Sequence, residues 1–203
     1  MIVRSSSSAW VRGVVDMFSA EGLDVDTLFR DAGLDIAVLD DPASRLSIDD
    51  VSALWEMAVV RSGKTTLGLS RELAGTYGNF GVVRYAMMAC PTLLLALEQL
   101  VRYMNVVSNA ATFALTKDAE GYWFELGQQG GESPVPRQRL EFGMLPVLTF
   151  CRWVQGREYH ANGVAVGHPV TADSKLKLDV YHLPLRSSLA AHVGLLTVVQ
   201  VTW

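Results

Sequence analysis

The sequence predicts an α+β domain: N-terminal helices packed with a small antiparallel sheet and a central buried helix. Three observations carry this. Residues 1–107 show helical spacing and helical punctuation almost throughout; the apolar period changes to a strand-like one after residue 110; and residues 137–155 are apolar on nearly every side.

The elements follow in order. Trp10, Val14, Met17 and Phe18 share one helical face, and Gly22 supplies a stop. Asp24 caps a short helix bearing Leu28 and Phe29 that ends at Gly33, and Asp35 repeats the device for Ile36–Leu39. Ser47 is the best capping residue in the chain, because Asp49 and Asp50 stand in the first turn beside the positive helix end. Ile48, Val51, Trp55, Ala58 and Val59 then form one face until Gly63. Residues 67–74 read as a short helix. Residues 75–81, with glycines at 75, 78 and 81 beside Tyr77 and Phe80, read as an ordered turn. A helix begins near Val82, and Pro91 suits the start of another whose buried side is Leu93, Leu97, Leu100, Met104 and Val107.

Residues 110–116 and 122–126 are β-prone runs flanking 117–121, a hairpin pattern. Residues 127–136 are loop-like. Arg137–Gln155 follows as the central helix, with Leu140, Met144, Leu148 and Cys151 on one side, and Pro146 is expected to kink it. Beyond it, residues 164–166 read as a strand, 174–180 as a helix or irregular turn, and 195–201 as a further β-branched run. There is no internal repeat, and Ser5 to Ser8 is the one biased segment.

Composition narrows the function classes. With 203 residues, half of them hydrophobic and 19% charged, the chain suits one well-filled domain and excludes a disordered protein. No apolar run approaches the ~18–20 residues of a membrane span, and the N-terminus has no apolar signal core. Cys90 and Cys151 both sit in apolar stretches, as core residues of a cytosolic protein would. The net charge of −4 argues against nucleic-acid contact by this chain itself. That charge is uneven, since residues 1–50 carry ten acidic side chains against four arginines.

Candidate chemistry is sparse. Arg61-Ser-Gly-Lys-Thr-Thr66 hints at a phosphate loop, but Ala58 occupies the position of the required first glycine and lies on a helix rather than after a strand. Gly63 therefore reads as a helix stop and Lys64 as a solvated side chain. His160, His168, His182 and His192 have no metal-ligand spacing, so no metal and no cofactor are expected. The pairs Asp40-Asp41 and Asp49-Asp50 suit capping better than acid–base work, and no nucleophile elbow occurs, so no catalytic residues and no enzyme are expected. The aromatic set is richer. Phe80, Tyr85, Tyr103, Trp123, Phe142 and Trp153 come from separate elements, and Arg84 and Arg102 accompany two of the tyrosines. These eight residues are the candidate ligand-binding set, lining an apolar pocket with a few polar handles. Ordinary core packing with snorkelling arginines is the other reading of the same residues.

A family resemblance enters here. Gly22-Leu-Asp-Val-Asp-Thr-Leu-Phe-Arg-Asp-Ala-Gly-Leu34, Leu54-Trp-Glu-Met-Ala58 and Leu67-Gly-Leu69 occur in series. Phe80-Gly-Val-Val-Arg-Tyr-Ala-Met-Met-Ala-Cys-Pro-Thr-Leu93 and Ala96-Leu-Glu-Gln-Leu-Val-Arg-Tyr103 come next, and Glu141-Phe142, Arg152-Trp153 and Val166-Gly-His-Pro169 continue the series. Together, over residues 8–180, they resemble the N-terminal effector domain of AraC-type transcription regulators, in the non-cupin branch called arabinose-binding-like. The resemblance implies one effector-sensing and dimerisation domain across residues 1–203, cytoplasmic and homodimeric, answering to a small molecule of unknown identity. It also implies a partner module of two helix-turn-helix units, which these residues do not contain. Residues 186–203 depart from the family pattern. The apolar character of the aromatic set favours a fatty acid or aromatic metabolite over a sugar. Two rival readings stand beside it: a structural dimerisation domain pairing through Leu195–Val201 as an exposed edge strand, and an enzyme with an apolar substrate pocket.

Overall fold

Capping side chains set the helical half of the molecule. In a computed structural model, which describes residues 3–70, 80–117, 119, 121–155, 163–166, 172–173, 175, 185–188 and 195–201, Ser7 Oγ accepts from Trp10 N and opens α1 (Ser8–Ala20). Asp24 accepts from Thr27 N at the start of α2 (Val25–Asp31), and Asp35 caps a 3-10 turn over Ile36–Leu39. Ser47 accepts from Asp50 N and opens α3 (Ile48–Ser62), which ends at Gly63 in the left-handed conformation.

Two short strands frame these helices. β1 (Ser5–Ser7) and β2 (Arg45–Ser47) pair antiparallel, with Ser6 opposite Leu46. The expected helix over 67–74 is instead a 3-10 turn, Leu67–Leu69, because Ser70 turns extended; residues 71–79 lie outside the described residues. α4 (Val83–Met88) and α5 (Leu93–Val107) follow. Thr92 Oγ1 caps α5 by accepting from Leu95 N, so Pro91 stands one residue before the cap rather than in the first turn.

The second layer is a sheet. β3 (Ala111–Lys117) and β4 (Tyr122–Gln128) form the expected hairpin, with Phe113 opposite Leu126 and Thr116 opposite Trp123. β5 (Gly163–Val166), β6 (Leu185–Ser188) and β7 (Leu195–Val201) extend it to five strands in the order β3-β4-β7-β5-β6, antiparallel except for β5 against β6. Residues 164–166 and 195–201 are thus strands as expected, and β6 is the strand the sequence does not mark. The sheet corrects the edge-strand reading of residues 195–201: β7 hydrogen-bonds β4 on one side and β5 on the other, leaving neither edge for a second chain.

The central helix is α6 (Arg137–Gln155), buried from Arg139 to Leu148 and again at Phe150 and Cys151, and continuous through Pro146. It lies between the sheet, which it meets at β4 and β7, and the layer of α1 and α3. Four ring contacts cross that layer. Phe18 meets Trp55 at 4.9 Å, Trp55 meets Phe142 at 5.4 Å, Phe142 meets Trp10 at 5.5 Å and Trp10 meets Phe80 at 5.8 Å between centroids. The offset, edge-on geometry of the first three is the arrangement aromatic quadrupoles favour.

Candidate functional site

Strand alternation in β1 divides two spaces. Ser6 points inward and is buried, whereas Ser5 and Ser7 face the other way and are half-buried. Ser6 lines an inner space with Trp10, Ser108, Gln128, Arg139 and Gly143; Ser7 lines an outer cleft with Phe80, Arg84, Tyr85, Arg45 and Val107. The Trp10–Phe80 ring contact joins the two, since Trp10 lines the first and Phe80 the second.

The inner space is small, about 10 Å³, the scale of a single water molecule. Its walls are unusually polar for a core. Ser6 Oγ donates to Ser108 Oγ at 3.0 Å, and Gln128 Nε2 donates to the Arg139 carbonyl at 3.2 Å. Gln128 Oε1 has no hydrogen-bond partner among the described residues. Arg139 Nη1 donates to Ser52 Oγ at 3.1 Å. Burial pushes the Arg139 guanidinium down to about 10, and the nearby Asp49 charge offsets part of that. Arg137 and Glu141 form an ion pair one helical turn apart on the same helix.

The outer cleft has a volume of about 460 Å³, within the range of small-ligand pockets. Phe80 is buried and forms its floor with Ala9 and Val107. Arg84 is half-buried, its guanidinium 5.1 Å from the centre of the exposed Tyr85 ring. Across from α4, Arg45 is fixed by three donations: Nε to Ser5 Oγ at 2.8 Å, Nη1 to the Val106 carbonyl at 2.9 Å and Nη2 to the Ser5 carbonyl at 3.0 Å.

Of the eight residues expected to bind ligand, Phe80, Arg84 and Tyr85 meet in this cleft. Phe142 reaches it only through Trp10, as part of the packed core. Arg102 and Tyr103 lie exposed on α5 outside the cleft lining, the guanidinium 5.5 Å from the ring. Trp123 alternates with the buried Phe124 and so stands on the sheet face away from the core. Trp153 is exposed near the end of α6, beside a separate depression of about 300 Å³ shared with Met87, Met88 and Cys90. The eight therefore do not form one pocket.

Sequence reasoning missed Arg45, Ser6, Gln128 and Arg139. Arg139 did leave a signal: a helix apolar nearly all round has to bury whatever charge it carries. The remaining motifs have structural roles. Lys64 pairs with Glu21, Asp40 with Arg12 at 3.0 Å, and Asp49 accepts from Ser133 N at 3.0 Å to hold the loop before α6. All four histidines fall outside the described residues, and no cluster of metal-ligating side chains occurs among those described. No helix among the described residues is long and apolar enough to cross a membrane.

Cys151 is buried and its thiol is pushed up to about 12 by loss of hydration, with the Arg152 charge a smaller opposing effect. The unfolded thiol titrates near its ordinary 9.0, so this contribution to stability is complete below pH 9 and is lost as pH rises toward 12. Arg139, held low, works in the opposite direction above about 10. Urea unfolding between pH 8 and 11 is expected to show a shallower loss of stability in Cys151→Val than in the parent chain. Equal slopes would mean that the thiol is hydrated.

The family of the chain follows from comparison with known proteins. A model of the arabinose-binding domain of AraC transcription regulators, N-terminal, matches residues 22–193, beginning and ending later than the 8–180 expected from the motifs. The chain belongs to this family. The family is one of regulatory ligand-binding domains of transcription regulators, not of enzymes. No curated protein matches the chain.

Proposed function

We propose that this chain is the effector-sensing part of an AraC-type regulator, with the effector seated in the cleft between β1, α4 and the end of α5. The observation that carries the reading is the cleft itself: ligand-sized, floored by Phe80 and rimmed by Arg84 and Tyr85. Its floor also has somewhere to send a signal. Phe80 packs on Trp10, Trp10 on Phe142 and Phe142 on Trp55, so a displaced Phe80 ring presses on α1, α6 and α3 in turn. An effector acts this way only by binding one of two arrangements of the domain more tightly than the other. The arrangement it selects is passed to a DNA-binding module outside these residues, in the cytoplasm.

A homodimer is the second part of the proposal. Met88 on α4 and Tyr103 on α5 are exposed outside the cleft lining, and they supply apolar surface for a second copy now that β7 does not. A thermal-shift screen against a metabolite library, with tryptophan emission as a second readout, tests the sensor role. Stabilising compounds are expected to lose their effect in Tyr85→Ala, whose exposed ring is not needed for folding. A library with no stabilising member and unchanged emission would end the proposal. Sedimentation over a concentration range checks the dimer, and a monomer throughout, with and without ligand, removes it.

A further inference from the structure

We infer that the cleft selects anions: its ligand carries a carboxylate, or a group of like charge and shape, on a compact apolar body. The inference rests on the sensor reading of the same cleft. Its first support is the sign of the lining. Two guanidiniums, Arg45 and Arg84, line the cleft, and no acidic side chain does so among the described residues. This occurs in a chain of net charge −4 whose first fifty residues hold ten acids, so the cleft is a local reversal of the prevailing charge.

The second support is the state of those two cations. Arg45 spends one N–H of each nitrogen on neutral acceptors, Ser5 Oγ, the Val106 carbonyl and the Ser5 carbonyl. The guanidinium is thereby fixed in place with no carboxylate partner among the described residues, and two of its five N–H groups make no bond to those residues. A cation immobilised before binding loses little further freedom when an anion arrives. Arg84 lies over the Tyr85 ring and has no carboxylate partner among the described residues.

The acidic residues next to the lining in sequence are already committed. Asp41 accepts from Ala43 N at 2.9 Å and Ser44 Oγ at 2.8 Å, which holds its carboxyl below the ordinary range, and Asp40 pairs with Arg12. Phe80, Ala9, Val82 and Val107 supply apolar surface for the body of the ligand. The neutral polar side chains of the lining, Ser7, Ser44 and Tyr85, are too few to match the many hydroxyls of a sugar. A carboxylate on an aromatic or aliphatic body meets both demands, because guanidinium and carboxylate pair in two parallel hydrogen bonds.

Matched probes test this on the full chain at low ionic strength: phenylacetate and octanoate against phenylacetamide and 1-octanol, read by thermal shift. The acids are expected to raise Tm with concentration and the neutral partners to leave it unchanged. Arg84→Gln is expected to weaken the response to the acids by about tenfold. Arg102→Gln removes an equal charge from the same side-chain type outside the cleft and is expected to change it by less than about twofold. Arg45→Gln is a secondary variant, since Arg45 also ties β1 to α5.

Neutral partners that stabilise as well as the acids would overturn the anion assignment while leaving the sensor reading intact. So would a metabolite screen in which only uncharged compounds bind. Equal losses in Arg84→Gln and Arg102→Gln would overturn it too, by reducing the effect to overall charge. If neither these probes nor any library compound binds, both readings fall together.

Discussion

Gly68→Ala is expected to cost about 3 kcal/mol of stability, although it adds a single methyl group. A Cβ at residue 68 would collide with the backbone carbonyl of Gln138, at the first turn of α6, with the carbonyl carbon 2.7 Å and the Cα 2.8 Å away. Backbone cannot swing aside as a side-chain tip can. The contact is also fastened, because Arg137 Nη2 and Gln138 Nε2 both donate to the Thr65 carbonyl at 2.8 Å. The added methyl must therefore lift the 3-10 turn off the central helix. Gly143→Ala makes a useful comparison, since its Cβ would meet the end of the Leu126 side chain at 2.7 Å and Gln128 Nε2 at 3.0 Å, both side-chain ends rather than backbone. Urea midpoints should fall much further for Gly68→Ala. Similar midpoints would show that the turn moves freely against α6.

Trp55→Ala is expected to cost about 3–5 kcal/mol, the largest loss from truncating any core side chain here. Trp55 is fully buried and is the middle ring between Phe18 and Phe142, so its removal opens a cavity where α1, α3 and α6 meet. Its indole N–H adds a second, opposite effect. Nε1 is buried with no hydrogen-bond partner among the described residues, a cost that the folded state already bears. Trp55→Phe discards that donor and keeps a ring in place, so it is expected to cost only about 1 kcal/mol. Thermal and urea unfolding of the two variants would separate the effects. A phenylalanine variant as damaged as the alanine one would mean that Nε1 has a partner after all.

Much of the helical half is legible in the sequence because its signals are local. Ser47, Asp24 and Asp35 bond backbone groups two or three residues away, so their placement alone marks where α3, α2 and the 3-10 turn begin. The hairpin and the limits of α6 are local for the same reason. β1 is not: Ser5, Ser6 and Ser7 have no alternation of polarity, and the strand exists because β2 pairs with it from forty residues away. The place of β7 in the sheet is likewise set by partners far along the chain.

The candidate site divides in the same way. Periodicity says which residues share a face, not which faces meet, so Phe80, Arg84 and Tyr85 emerge together from one segment while Trp123 and Trp153 fall on other surfaces. Arg45 gives no sign in the sequence. It is an exposed arginine in a short strand, and its importance comes from acceptors 40 and 61 positions distant. The family resemblance supplies the class of the molecule and leaves the lining of its cleft to be read from geometry.

The position of β7 also has a consequence in time. Among the described residues β4 and β5 are joined through β7, and β7 is the last of the described strands to be synthesised. On the ribosome the capped helices and the hairpin can form while the chain is still growing, since their contacts are short-range. The flank of β4 stays open until residues 195–201 emerge and fill it. Until then the nascent chain presents an open flank of β4 to pairing with a neighbour, a flank that the finished sheet closes.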